Sequence, residues 1–204
     1  MLQCTLVRKS RFHKFLIKLN NLDTSGFKEW VFYPGMVFNN QYKWWGNGGI
    51  RQRPHEGLDF CFYRDVAGQD HSLDEKTKIP VMYTGEIVSI HDDFLGKSLF
   101  VRHAIFDDYE NRLHTIYGHT NPYPGVDIGR IFREGEVIAA IADTGKKDTQ
   151  IPPHLHISVA WLPKSFPYNR LNWETMGDRG VTTLCNPLEF IDGDYTVEQD
   201  RIAL

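Results

Sequence analysis

What most constrains this chain is a succession of short segments that are β-branched, aromatic and often alternating. FLIKL, EWVFY, LDFCFY, IPVMYTGEIVSI, SLFVRHAIF, LHTIYGH, EVIAAIA, LHISVAWL and YTVEQD follow one another, broken by turn clusters such as NNLDTSG, WGNGG, RDVAGQD and HDDFLG. Alternation with a period of two puts every second side chain on one face of a sheet, and closely spaced turn signals fold such a chain back on itself. No long pattern of helical period interrupts them. The expectation is a compact, mostly β, antiparallel domain with few short helices. The best helix candidate is NPLEFIDG, where Asn186 can cap, Pro187 takes the first helical position and Gly193 follows the end.

Residues 1–40 are expected to supply strands that pack on a core formed by residues 41–204, the whole being one globular unit. Arg8, Lys9, Arg11, Lys14 and Lys18 interleave with Leu6, Phe12, Phe15, Ile17 and Leu19, which reads as a strand pair with one solvated basic face. Residues 166–182 carry Pro, Asn, Gly and mixed charge and read as a surface connection inside the domain.

A length of 204 residues is enough for a real hydrophobic core. The net charge of −3 carries no footprint for nucleic acid, and no apolar run approaches the length of a membrane-spanning helix. The opening MLQCTLVRKSRFHKFLIKLN does not have the basic, apolar, small-residue order of a secretory signal. Three cysteines, Cys4, Cys61 and Cys185, are too few and too scattered for a disulfide framework or a thiolate metal cluster. Cys61, two residues beyond Asp59 on one strand, reads as a small packed side chain.

Chemistry gathers around the histidines. His154 and His156 are separated by one residue in a strand, so both project from the same face and can share a site. Upstream, His55 and Asp59 lie four apart around Gly57, where an apolar strand begins. An aspartate inside LDFCF is costly to bury unpaired, and a metal ion or another cation resolves the cost. Imidazole nitrogen and carboxylate oxygen are both good zinc donors, and a catalytic zinc site takes three protein ligands with water in the fourth position. One carboxylate and two imidazoles suffice, leaving one histidine of the pair and a further one, His119 in IYGHT, to handle protons or an oxyanion.

With those residues in view, the sequence resembles the LytM or lysostaphin-like zinc metallopeptidases of family M23. The resemblance rests on five motifs in the family's order: HEGLD, TGEIVSI, YGH, REGEVIAAIADTG and PHLHIS, with CNPLEFI similar to its closing segment. It implies an antiparallel β domain with a groove over the sheet, holding one Zn2+ on His55, Asp59 and His156. It also implies that His119 and His154 form the catalytic pair, two roles that spacing alone does not assign. The implied substrate is a peptide of peptidoglycan, in stems or cross-bridges, cut by metal-activated water; the implied place of work is the cell envelope or periplasm. The alternatives are a noncatalytic module on the same fold, or a peptidase with a protein substrate outside the wall.

The chain also departs from the family. KKDTQIP, before the histidine pair, is longer and more charged than the family's link, which puts substrate preference in play. Ile157 and Ser158 stand where an aromatic residue and glutamate are common, and Thr120 where leucine or methionine is usual. Trp44 and Trp45 read as core or loop anchors rather than a stacking platform. Arg51 and Arg53 fit equally a solvated loop pair or a bidentate grip on a substrate carboxylate. His103 reads as structural. His114, five residues from His119, falls on the opposite face of a regular strand. His13, His71 and His91 have loop or surface contexts.

Overall fold

A computed structural model describes residues 7–145 and 150–199. Cys4 and the first four residues of KKDTQIP therefore lie outside the described residues. The strands are β1 (Phe27–Phe32), β2 (Leu58–Phe60), β3 (Phe62–Asp65), β4 (Asp70–Ser72), β5 (Lys78–Pro80), β6 (Gly85–Asp92) and β7 (Lys97–Phe106). They continue as β8 (Asn111–Pro122), β9 (Ile131–Phe132), β10 (Val137–Ile141), β11 (Leu155–Pro163), β12 (Thr183–Cys185) and β13 (Tyr195–Val197). The larger sheet runs β12-β11-β8-β7-β6-β9, with β2 joining β11, and β10 joining β8 and β5. The smaller runs β13-β1-β3-β4. Apart from the parallel β1–β13 pair, the strand pairs are antiparallel. The mostly β expectation is met.

Alternation sorts the side chains of the long strands between two apolar layers. Leu155, Ile157, Val159 and Trp161 of β11, with Leu113 and Tyr117 of β8, enter the main core together with Trp30, Phe32 and Phe60. The opposite face carries Ala160, Leu162, Ile116 and Phe100, covered by Leu171 and Met176. Both faces of the large sheet are thus buried along much of its length, which is why β11 is apolar almost throughout.

Several local expectations are revised by the structure. FLIKL belongs to a helix, α1 (Phe12–Leu19), not a strand pair. Phe12 and Leu16, one turn apart, are buried, while Arg11, Lys14 and Lys18 recur at steps of three and four, the spacing of one helical face. His13 is buried in that helix rather than in a surface context. The 166–182 connection carries a 3₁₀ turn (Tyr168–Arg170) and a short helix, α2 (Trp173–Met176), capped by the Asn172 side chain on the Thr175 amide. NPLEFIDG closes as a single 3₁₀ turn, Pro187–Glu189, with Asn186 as its cap. His91, in β6, is half-buried and bonded to the Leu171 carbonyl at 2.6 Å.

His103 and His114 are buried structural histidines. The ring of His103 lies between the Thr84 carbonyl at 3.1 Å and the Thr115 hydroxyl at 2.9 Å. His114 bonds the Arg112 carbonyl at 2.9 Å through Nδ1, and its Nε2 has no hydrogen-bond partner among the described residues. Burial pushes their pKa values from 6.5 down to about 4 and about 3. Both rings are therefore neutral in the fold, whereas the unfolded chain takes up their protons below pH 6.5. The stability they contribute is full above that pH and is lost as pH falls towards 4 and 3. At about 1.4 kcal/mol per pH unit for each ring, the loss is on the order of several kcal/mol. Denaturant titrations from pH 7 to pH 4 should record it, and His114→Phe should flatten the slope; an unchanged slope in the variant refutes the assignment.

Candidate metal centre and groove

In LDF, Leu58 and Phe60 enter the main core, so alternation turns Asp59 to the other face. In β11, Leu155 and Ile157 do the same and turn out His154 and His156. β2 and β11 pair in a register that sets Asp59 directly opposite His156. His55 arrives from the turn before β2, its amide bonded to the Asn40 carbonyl and its carbonyl to the Asn39 amide, both at 2.9 Å. Gly57 lets this turn lie flat on β11: a Cβ there would fall 2.2 Å from the Ile157 carbonyl oxygen and 2.7 Å from His156 Nε2. No side chain fits at that crossing.

The result is a tight triangle of donor atoms. His55 Nε2 lies 3.0 Å from His156 Nδ1 and 3.1 Å from Asp59 Oδ1, and His156 Nδ1 lies 2.8 Å from Asp59 Oδ1. The other nitrogen of each ring is engaged elsewhere, His55 Nδ1 with the Val37 carbonyl at 3.2 Å and His156 Nε2 with the Ser158 hydroxyl at 2.9 Å. When those outer nitrogens donate, the inner ones are bare, and three lone pairs point at one place. Donors about 2.1 Å from a tetrahedral zinc lie roughly 3.4 Å apart, near the spacing here. Donor set, burial and spacing all fit a zinc ion. Burial opposes charge on Asp59, yet whenever the inner nitrogens carry protons the charge of His55 and hydrogen bonds from His156 and His55 hold the carboxyl well below the usual range.

The second carboxylate oxygen has its own partners. Trp44 Nε1 donates to Asp59 Oδ2 at 2.7 Å, and an Arg51 nitrogen lies 3.8 Å from it. Trp44 is accordingly a buried anchor, with the added job of orienting Asp59, which the sequence reading missed. Arg51 is neither a solvated loop residue nor a free grip for substrate. Its guanidinium donates to the Gly35 and Tyr42 carbonyls, each at 2.7 Å, and sits over the Trp45 ring at 4.7 Å.

His154 and His119 complete the cluster, with ring centroids 4.8 Å apart. His154 bonds the Pro152 carbonyl through Nδ1 at 2.8 Å, and its Nε2 lies 4.0 Å from Asp59 Oδ1. Burial pushes its pKa down to about 3. His119 owes its place to an irregularity in β8. Lys97 faces Thr120 and Leu99 faces Tyr117, so β8 spends one residue more than β7 across this interval. His119 takes the strain as a left-handed residue, φ +61°. The bulge changes the parity of the strand: His114, opposite Ala160, lies on the same face as His156 opposite Gly118. His114 is thus outside the site by its distance along the strand and not by the face it occupies. His119 bonds Asp93 twice, its amide to Oδ2 at 2.9 Å and its Nδ1 to Oδ1 at 3.1 Å. Burial works against ionisation of Asp93, but the bonds and charge of His119 hold its carboxyl far below the usual range.

The five residues line one cavity of about 410 Å3, walled by Trp45, Phe94, Ile151 and Trp173. Trp173 comes from α2, with its ring 5.3 Å from that of His156 and its Nε1 bonded to the Ser98 hydroxyl at 2.9 Å. The stretch expected to be a plain surface connection is therefore a wall of the groove. Cys61 packs in the main core, and burial pushes its thiol pKa up.

A sheet carrying a buried two-histidine, one-carboxylate triangle beside two further imidazoles is the architecture of a metal-dependent hydrolase. Residues 64–168, more than half of the chain, match the model of peptidase family M23, and the chain belongs to that family. The matched stretch contains His119, His154 and His156; His55 and Asp59 precede it and reach the site through β2. No curated protein matches the chain. Among solved structures it is similar to lysostaphin in solution, at 19% identity over 76% of this chain and 53% of that one, with a TM-score of 0.43. It is also similar to the catalytic domain of the prophage-encoded M23 protein EnpA from Enterococcus faecalis, at 20% identity over 60% and 78% of the two chains, TM-score 0.38. Csd3 of Helicobacter pylori gives 21% identity over 67% and 30%, TM-score 0.38. The chain spans about half the length of lysostaphin.

Proposed function

We propose that this chain is a zinc-dependent endopeptidase that hydrolyses peptide bonds in peptidoglycan stems or cross-bridges. The observation that carries the reading is the convergence of three ligand atoms, from His55, Asp59 and His156, on the floor of a groove that two further imidazoles also face. In this reading those three hold one zinc ion, and residues 41–204 carry the site. Residues up to 40 buttress it, the Met36 carbonyl accepting the Asp59 amide at 2.9 Å and the Val37 carbonyl the His55 ring. Zinc held by these residues would supply Lewis acidity towards the scissile carbonyl and would lower the pKa of a bound water to about 7.

The remaining chemistry falls to His154 and His119. The Pro152 carbonyl fixes the N–H of His154 on Nδ1, so its Nε2 faces the groove as a proton acceptor, and burial keeps the ring neutral. By position, that nitrogen is the one placed to take the proton of the attacking water. His119, on the other side of the groove, is suited to hold the tetrahedral oxyanion and return a proton to the leaving amine. Trp45, Phe94 and Trp173 hold an extended peptide and exclude bulk solvent. Membership of the family supports this substrate class. Metal analysis and digestion of purified peptidoglycan test the reading: one zinc per chain and release of peptide fragments are expected. Zinc binding without cleavage of sacculi, or of short glycine and D-alanine peptides, refutes it.

A further inference from the structure

We propose that Asp93 is the positioning residue for His119, fixing which of its nitrogens faces the groove; the catalytic consequence rests on the peptidase reading above. Asp93 lies in the turn between β6 and β7, in the HDDFLG stretch that the sequence alone marks only as a turn. Its side chain is 4% exposed. The turn itself holds the carboxylate: Oδ1 accepts the Leu95 amide at 2.9 Å and the Gly96 amide at 2.7 Å, and Oδ2 accepts the Ser98 hydroxyl at 2.7 Å. With its plane fixed in this way, the group still accepts two donors from His119, the main-chain amide and ring Nδ1.

An ionised carboxylate only accepts, so the ring nitrogen facing it must carry the proton. That leaves Nε2 of neutral His119 bare on the groove side. The amide bond to Oδ2 ties down the same residue's left-handed backbone, so one carboxylate sets both the direction and the tautomer of the imidazole. His154 obtains the equivalent orientation from a peptide carbonyl two residues away. His119 obtains it from a side chain 26 residues distant in sequence. The link extends further, because the Ser98 hydroxyl that bonds Asp93 also accepts Trp173 Nε1, so the groove wall and the imidazole share one support.

Asp93→Asn is the test, because it preserves shape while replacing one acceptor oxygen with an NH2 donor. Zinc content and KM should remain within twofold of wild type while kcat falls by about 10²-fold or more, as general acid–base groups contribute 10²–10⁴-fold. In 15N-histidine NMR, wild-type His119 should show a protonated Nδ1 and a bare Nε2, and Asp93→Asn should shift it to the other tautomer or a mixture. Ser98→Ala, which removes a contact to Asp93 but none to His119, should leave that signature in place. An unchanged ring signature in Asp93→Asn overturns the proposal, as does a kcat no lower than that of Ser98→Ala. If Asp93→Asn does not fold, the wild-type spectrum decides: a His119 protonated on Nε2 alone overturns it. If the wild type cuts no peptide, the peptidase reading fails, while the ring signature still decides the role of Asp93.

Discussion

His156→Ala should leave the protein unable to hold zinc at micromolar concentrations, the largest single effect expected at this site. The substitution removes one of three donors and also the bond that ties His156 Nε2 to Ser158. Loss of an outer partner of a metal ligand typically costs 10–100-fold in affinity, so loss of the ligand itself should exceed 100-fold. Asp59 would be left buried with His55 and no cation between them, so the variant should also unfold more readily. Ser158→Ala is the informative companion, since it leaves the three donors intact and should fall within the 10–100-fold range. Zinc titration by calorimetry or a competing chelator reads both. Full zinc occupancy in His156→Ala would show that the triangle is not the metal site.

His154→Ala should do the opposite, keeping metal and losing turnover. Its Nε2 is 4.0 Å from Asp59 Oδ1, outside the close triangle but facing the same space. Zinc stoichiometry should therefore match wild type, while hydrolysis falls by about 10²–10⁴-fold, the range for a positioned acid–base group. KM should change little, because the aromatic walls remain. A rate within tenfold of wild type would remove His154 from the catalytic role. The two substitutions sit two residues apart, His154 just before β11 and His156 within it, so opposite outcomes would separate holding metal from moving protons within one short stretch of chain.

The parts of the site legible in the sequence were those that simple periodicity encodes. Alternation puts both histidines of HLH on one face and turns Asp59 out of LDF, and the resemblance to family M23 named the five residues that the fold brings together. What escaped was decided by long-range or irregular geometry. Nothing in IYGHT announces the extra residue that turns His119 into the groove, and it is this extra residue that defeats the parity argument about His114. The Trp44 and Asp93 contacts join residues 15 and 26 positions away through turns whose shape no local pattern specifies. The α1 helix was legible in the spacing of Arg11, Lys14 and Lys18 but was masked by the β-like content of FLIKL. The role of Trp173 lay hidden in a segment whose Pro, Asn and Gly content speaks of turns and says nothing of what those turns cover.

The second apolar layer, where Leu171 and Met176 cover Phe100, Ile116 and Leu162, separates two properties that could have been tied together. The donor triangle is built on β2 and β11, hydrogen-bonded neighbours in the large sheet, whereas the Trp173 wall rides on a crossing segment anchored by its own small core. Exchange of Trp173, between those anchors, can therefore redraw the groove without shifting the atoms that would hold the metal. The shape of the groove is thus adjustable at one address while the donor geometry is held at another.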